Sequence, residues 1–192
     1  LIDLIKIILR PIQAKHITDA YLKPDHQAID SIYWPQAFKF SCSDTVDLFS
    51  GCLVQDRDIY PTVSLASDVV LPTSWSPHSI INILGKIGKD LKLGAFKQDY
   101  NHQLSYIYPL HFSFISGGNH SIIQGIIHGE GQLSPTEVFD VTNLIKNIHF
   151  DGQNWVNSST KAVIGSPLYP EFGWIWEIAR LFSDFQPSPY TR

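Results

Sequence analysis

A chain of 192 residues with 44% hydrophobic and 17% charged side chains has the size and composition of one packed core, which excludes a disordered or low-complexity scaffold. Fourteen basic against eighteen acidic side chains give a formal charge of −4, and that balance disfavours a protein held to nucleic acid mainly by counterion release. The apolar run from Leu1 to Ile12 is interrupted by Asp3, Lys6 and Arg10, so it is too short and too charged to cross a bilayer or serve as a signal peptide; no membrane partner is expected.

Methionine is absent, position 1 included, as expected of a chain that begins downstream of its native start. Cys42 and Cys52 make neither a CxxC motif nor half of a zinc site. Two reduced, packed thiols are expected, in a reducing compartment and hence the cytoplasm, with a structural disulfide as the less favoured alternative.

Leu1, Leu4, Ile5, Ile8 and Leu9 recur at helical spacing and predict an amphipathic helix halted near Pro11; Ala14 to Leu22 predicts a second helix ending before Pro24. Residues 24 to 62, with Pro24, Pro35, Gly51 and Pro61 as punctuation and Asp44, Asp47, Asp56 and Asp58 around Arg57, read as irregular structure with short helices. Val63 to Leu71 is β-branched and apolar and reads as a strand closed by Pro72. Ser76 as N-cap and Pro77 at the first helical position open a helix whose face is Ile80, Ile81, Leu84 and Ile87, ending at Gly88.

Gly94 to Tyr108 reads as one strand or as a hairpin turning at Asp99 to Asn101, and His111 to Ser116 as a further short strand. Gly117-Gly118-Asn119-His120-Ser121 follows, then a helix with Ile122, Ile123, Ile126 and Ile127 on its buried side, running to Gly129. A strand at Val138 to Val141, a helix from Asn143 to Ile148 capped by Thr142, a turn at Asp151-Gly152, a Trp-rich helix from Glu171 to Phe185 and a Pro-rich tail from Pro187 complete the chain, with no internal repeat. The order predicts an α/β (α+β) protein on a small mixed sheet. Residues 1–62 form an N-terminal helical arm and irregular segment packed on a core at 63–192 with a C-terminal helical extension, the two making one structural domain.

The segment that stands out is Gly117 to Ser121. A tight loop between a strand and a helix N-terminus presents backbone N–H groups and the positive end of the helix dipole, and glycines let an anion approach that backbone closely. Asn119 or Ser121 can cap the helix or donate to a phosphate oxygen, and His120 can donate a hydrogen bond or exchange a proton near neutral pH. A plain glycine turn with Asn119 as N-cap is the structural alternative.

The element order over residues 63 to 130, with Phe114-Ile115-Ser116-Gly117-Gly118-Asn119-His120-Ser121 at its centre, resembles the ParB/sulfiredoxin-like fold. Members place a Gly-x-x-Arg or Gly-Gly-Cys-His-Arg loop at a helix start, where it holds the phosphates of ATP, CTP or ADP. The resemblance implies a nucleotide, with magnesium, at Gly117, Gly118, Asn119, His120 and Ser121. It also departs from the pattern: Asn119 stands where sulfiredoxins carry their catalytic Cys, and Ser121 where the family carries Arg, which removes a fixed charge. The chain as a whole also resembles an uncharacterised bacterial domain family of no assigned activity.

His120, Gln124 and His128 share one helix side with Glu130 beyond, but His120 and His128 are about 12 Å apart along the axis, too far for one ion; no metal site is expected. His102 and His111 flank the approach to the loop and are candidates to meet His120. Asp99, Glu130, Glu137 and Asp140 are the candidate bases or magnesium ligands, and Asp140, inside an apolar strand, leads them, with helix capping as its structural alternative.

The expected function is therefore phosphate-ligand or nucleotide binding in a bacterial cytoplasmic protein, with His120 and Asp140 as catalytic candidates for phosphoryl transfer or hydrolysis. One alternative is a non-catalytic interaction module binding protein through the aromatic last helix, whose apolar surface of Phe172, Trp174, Ile175, Trp176, Ile178, Leu181 and Phe182 is too broad for a single stripe. The other is a nucleic-acid-processing protein, disfavoured by the acidic balance.

Overall fold

A computed structural model describes residues 1–22, 37–40, 45–73, 76–183 and 188–190. Pro24, Pro35, Cys42, Asp44, Phe185 and Pro187 lie outside them, and with them parts of the expected irregular segment and tail. In chain order the elements are α1 (Ile2–Leu22), α2 (Thr45–Ser50), β1 (Val63–Ser64), β2 (Val69–Leu71), α3 (Pro77–Ile83), β3 (Gln103–Tyr108), β4 (Phe112–Gly117), α4 (Asn119–His128), β5 (Gln132–Leu133), β6 (Glu137–Asp140), α5 (Thr142–Asn147), β7 (Ile148–Phe150), β8 (Trp155–Asn157) and α6 (Pro170–Ser183). The architecture is α+β.

Phe112 to Ile115 is a run of four buried residues, the pattern of a strand covered on both faces. It is central: β4 pairs in parallel with β2 and antiparallel with β3, and β3 takes β6 in parallel on its other side, for the order β2-β4-β3-β6. Both outer edges are covered. Gln13 of α1 donates from Nε2 to Val70 O at 2.8 Å beside β2, and residues 52–54 lie along β6, where Val54 N donates to Val138 O and Asp140 N to Cys52 O. An open edge would offer a row of unpaired groups to another chain.

Alternation along the strands sends side chains to two cores. Val69, Leu71, Ile107, Phe112, Phe114 and Phe139 face the larger one, with Ile5, Leu9 and Ile12 of α1, Phe172, Ile175 and Trp176 of α6, and Phe38 and Trp155. The buried indole N–H groups are satisfied, Trp155 donating to Phe38 O and Trp176 to Ile148 O. Val70, Leu104 and Ile115 face the smaller core, with Ile122 of α4, Phe96, Val63, Leu65 and Leu133.

Several expectations need correction. Pro11 does not halt the first helix, which runs unbroken for 21 residues with Pro11 inside it. The buried stripe Ile5, Leu9, Ile12 and His16 continues past the proline, while Pro11 and Ile7, the residue whose carbonyl loses its partner, are on the exposed side where water serves it. Val63 to Leu71 is two strands, because Ser64 O accepts from Ser67 N and Asp68 N and the Asp68 carboxylate accepts from Ser64 N, closing a turn between them.

Ser76 caps α3 as expected, accepting from Ser79 N at 3.2 Å, but the helix ends at Ile83 rather than near Ile87, since Leu84 leaves the helical region and Gly85 is left-handed. Residues 94–102 form no strand and hence no hairpin; only the turn at Asp99 to Asn101 is present, with Asn101 N donating to Asp99 Oδ1. Thr142 opens α5 rather than capping it. The strand, glycine loop and helix at 112–129 form as the sequence predicts, with Gly129 in the left-handed C-cap conformation, but the expected buried side is shifted: Ile127 is exposed, and Gln124 and Gly125 are buried with Ile122 and Ile123. Among the described residues no helix is long and apolar enough to cross a membrane.

The last helix resolves into a buried face of Phe172, Gly173, Ile175, Trp176 and Ala179 and an exposed one with Trp174 and Leu181. A Cβ at Gly173 would stand 2.4 Å from the Phe150 ring of β7. Gly173→Ala is therefore expected to destabilise the protein by about 1–3 kcal/mol through overpacking, measured as a lower midpoint in urea with an unchanged slope.

Candidate functional site

α4 begins where β4 ends, and Gly118 makes the junction: it is the N-cap, left-handed at φ 74°, and no side chain caps the helix. The first-turn N–H groups of a helix have no acceptor within it, and they sit at the positive end of the dipole. This N-terminus opens on a cleft of about 540 Å³ whose lining includes Asp99, Asn101, His102 and the whole segment Ser116 to Ser121. A second cavity of about 290 Å³ adjoins it, sharing Asp99, His102 and Ser121 and extending to Ile87, Leu93, Phe96 and Lys97.

The two glycines are required by the protein's own packing. A Cβ at Gly117 would stand 2.5 Å from Asn101 O, and one at Gly118 2.4 Å from the His102 ring. The turn before β3 thus lies against the loop. Asn119 does not cap the helix; its Oδ1 accepts from Thr73 N at 2.7 Å and ties the loop to the chain leaving β2.

His102 is the principal support. It is buried, its Nδ1 accepts from Asp99 N at 2.8 Å, and its Nε2 lies 2.6 Å from Ser121 Oγ, which donates to Gly118 O at 3.0 Å. A backbone N–H on Nδ1 assigns the ring proton to Nε2, so the chain of donors runs from His102 to Ser121 to the Gly118 carbonyl. Asp99 Oδ1 is 3.3 Å from Nδ1, which gives the set the membership of a Ser-His-Asp triad. Its polarity is the reverse of one: an Nε2 that carries the proton cannot accept the Ser121 proton, so His102 braces the loop and does not activate the hydroxyl. Burial holds His102 below its ordinary 6.5, with Asp99 pulling the other way, and burial likewise lowers His120. Both are neutral near pH 7. The neutral His120 stands on the cleft wall.

The structure brings Gly117, Gly118, Asn119, His120 and Ser121 together on one wall of the cleft, and it does not bring Asp140 to them. Asp140 pairs with Tyr108, whereas Gly117 pairs with Gln103 at the other end of β3, about 17 Å away at a strand's rise per residue. Asp140 instead accepts from Thr142 N and Thr142 Oγ1 at the start of α5 and from Ser188 Oγ, the capping alternative. His111 also lies apart, hydrogen-bonded through Nδ1 to the Tyr106 hydroxyl at 2.8 Å. Glu137 accepts from Ser105 Oγ. Polar residues of α4 and of the chain just beyond it hold the 84–97 loop: Gln124 Oε1 accepts from Gly85 N, Glu130 accepts from Lys89 N and Phe96 N, and the His128 ring lies against Gly88. Among the described residues no three His, Cys, Asp or Glu side chains gather as a metal ion would require.

Sequence reasoning gave His102 no bracing role and ranked Asp99 below Asp140. The signal was the Asp-x-x-His spacing at a turn, which lets the imidazole fold back onto the Asp99 backbone.

Two outcomes follow from this geometry. Gly129→Ala, left-handed but in open space, is expected to cost about 1 kcal/mol, and Gly118→Ala about 2–4 because it adds the collision with His102 to the same strain; paired urea titrations read the difference. His102, His111 and His120 are all held below 6.5 chiefly by burial, so their neutral forms favour the fold. That stability is complete above pH 6.5 and is lost as the pH falls toward the folded values. The melting temperature should drop between about pH 7 and about pH 5, and drop less steeply in His102→Gln.

No curated protein and no solved structure matches the chain. Residues 1–188 match DUF6710, a family of unknown function, and the protein belongs to that family.

Proposed function

We propose that the protein binds a nucleotide or another phosphate ligand at Gly117 to Ser121. The observation that carries this reading is the head of α4: a helix of ten residues with no side-chain cap, opening on the 540 Å³ cleft. The succession β2, α3, β3, β4, glycine loop and α4 supports the resemblance to the ParB/sulfiredoxin-like fold on which the nucleotide assignment rests. His120 is the phosphate contact, or the acid/base group in a phosphoryl transfer or hydrolysis, with magnesium arriving on the nucleotide. The carboxylate that shares the cleft with it is Asp99. The free thiol of Cys52 supports a reducing, cytoplasmic setting for this reading.

The test is a thermal-shift series with ATP, ADP, CTP, GTP and inorganic phosphate, each with and without magnesium. A ligand at about a hundred times its Kd adds about 2.7 kcal/mol, several degrees for a chain of this size. The expected result is a magnesium-dependent rise for at least one nucleotide that is lost in His120→Ala; no rise with any of them overturns the reading. A second reading, a protein-interaction module, is favoured by Trp174 and Leu181, seven residues apart on one side of α6 and 48% and 55% exposed. Under it no nucleotide raises the melting temperature.

A further inference from the structure

The loop Gly117 to Ser121 holds no lysine or arginine. We infer that Lys97 supplies a positive charge from the neighbouring loop, as an anion-binding residue at the mouth of the cleft; the inference rests on the phosphate-ligand reading of Gly117 to Ser121. Lys97 and Ser121 line the same 290 Å³ cavity, which joins the larger cleft across Asp99, His102 and Ser121.

The chain on either side of Lys97 is fixed. Before it, Phe96 N donates to Glu130 Oε1 at 3.0 Å and the Phe96 ring packs 5.0 Å from the His102 ring. After it, the Gln98 side chain makes two hydrogen bonds to the Ser134 backbone, donating to its carbonyl at 2.9 Å and accepting from its N–H at 2.8 Å. The 86–94 segment is closed on itself, with Leu93 N donating to Lys86 O and Gly88 N to Gly94 O. A lysine between two such anchors is presented at a set place at little ordering cost to its backbone. Lys97 is exposed, and no described carboxylate forms an ion pair with it. Asp99, the acidic group on the same wall, is occupied with Asn101 N and faces His102.

Titration calorimetry of the whole chain with ATP and with inorganic pyrophosphate, at low and at raised salt, tests this. Lys97→Glu is expected to weaken binding of both probes by about tenfold or more, and Lys97→Arg to retain it. Lys97→Ala should bind less tightly and lose affinity less steeply with salt than the wild type. Lys92→Glu, a charge reversal on the same loop outside the cavity lining, should change either affinity by no more than about twofold. A wild type that binds either probe while Lys97→Glu binds it equally well overturns the role of Lys97 and leaves the phosphate site standing. A wild type that binds neither overturns the phosphate reading and this inference with it.

Discussion

Strand β4 has a neighbour on every side. β2 and β3 take its two edges, the larger core takes Phe112 and Phe114, the smaller takes Ile115, and its last residue runs directly into the loop that starts α4. A strand so enclosed has one register, because a shift by one residue would exchange the faces of every side chain at once. The position of Gly117 and Gly118 is thereby set by contacts several residues away. Their backbone then has no room to adjust, since Asn101 and His102 stand where any Cβ would go. The uncapped end of α4 is consequently preformed.

How far the fold could be read in the sequence depended on whether local signals agreed with tertiary packing. The strand, glycine loop and helix from Phe112 to Gly129 were legible because the apolar pattern, the glycine punctuation and the tertiary contacts all point the same way. Pro11 was misleading for the opposite reason: its local preference to end a helix is opposed by the stripe Ile5, Leu9, Ile12 and His16, and packing prevails where the orphaned carbonyl faces water. Val63 to Leu71 looks continuous by composition, and only the hydrogen bonds among Ser64, Ser67 and Asp68 reveal the turn within it. Gly94 to Gln98 carries nothing that distinguishes a strand from a loop pinned by distant side chains.

The candidate site divides in the same way. The loop itself was legible from residues 114 to 121, a contiguous segment. Its supports were not, because His102 reaches Ser121 across 19 positions of chain and Thr73 reaches Asn119 across 46. Asp140 stood out for sitting in an apolar strand, and that burial is explained by a local duty at the start of α5, with Ser188 on its other oxygen. An acidic residue amid apolar neighbours is thus hydrogen-bonded on both of its oxygens.

The sheet parts the interior into unequal halves, and the cleft borders the lesser one. Among the described residues, twenty-three buried ones form the core on one face and eight the core on the other. The free energy needed to open a region follows the apolar contacts it must surrender, so the side bearing α4 and the 84–97 loop can part from the sheet while the aromatic side stays closed. The amides there should exchange with solvent through partial openings, and those of the aromatic core only when the whole molecule unfolds. A ligand seated at the head of α4 would draw the two rates together.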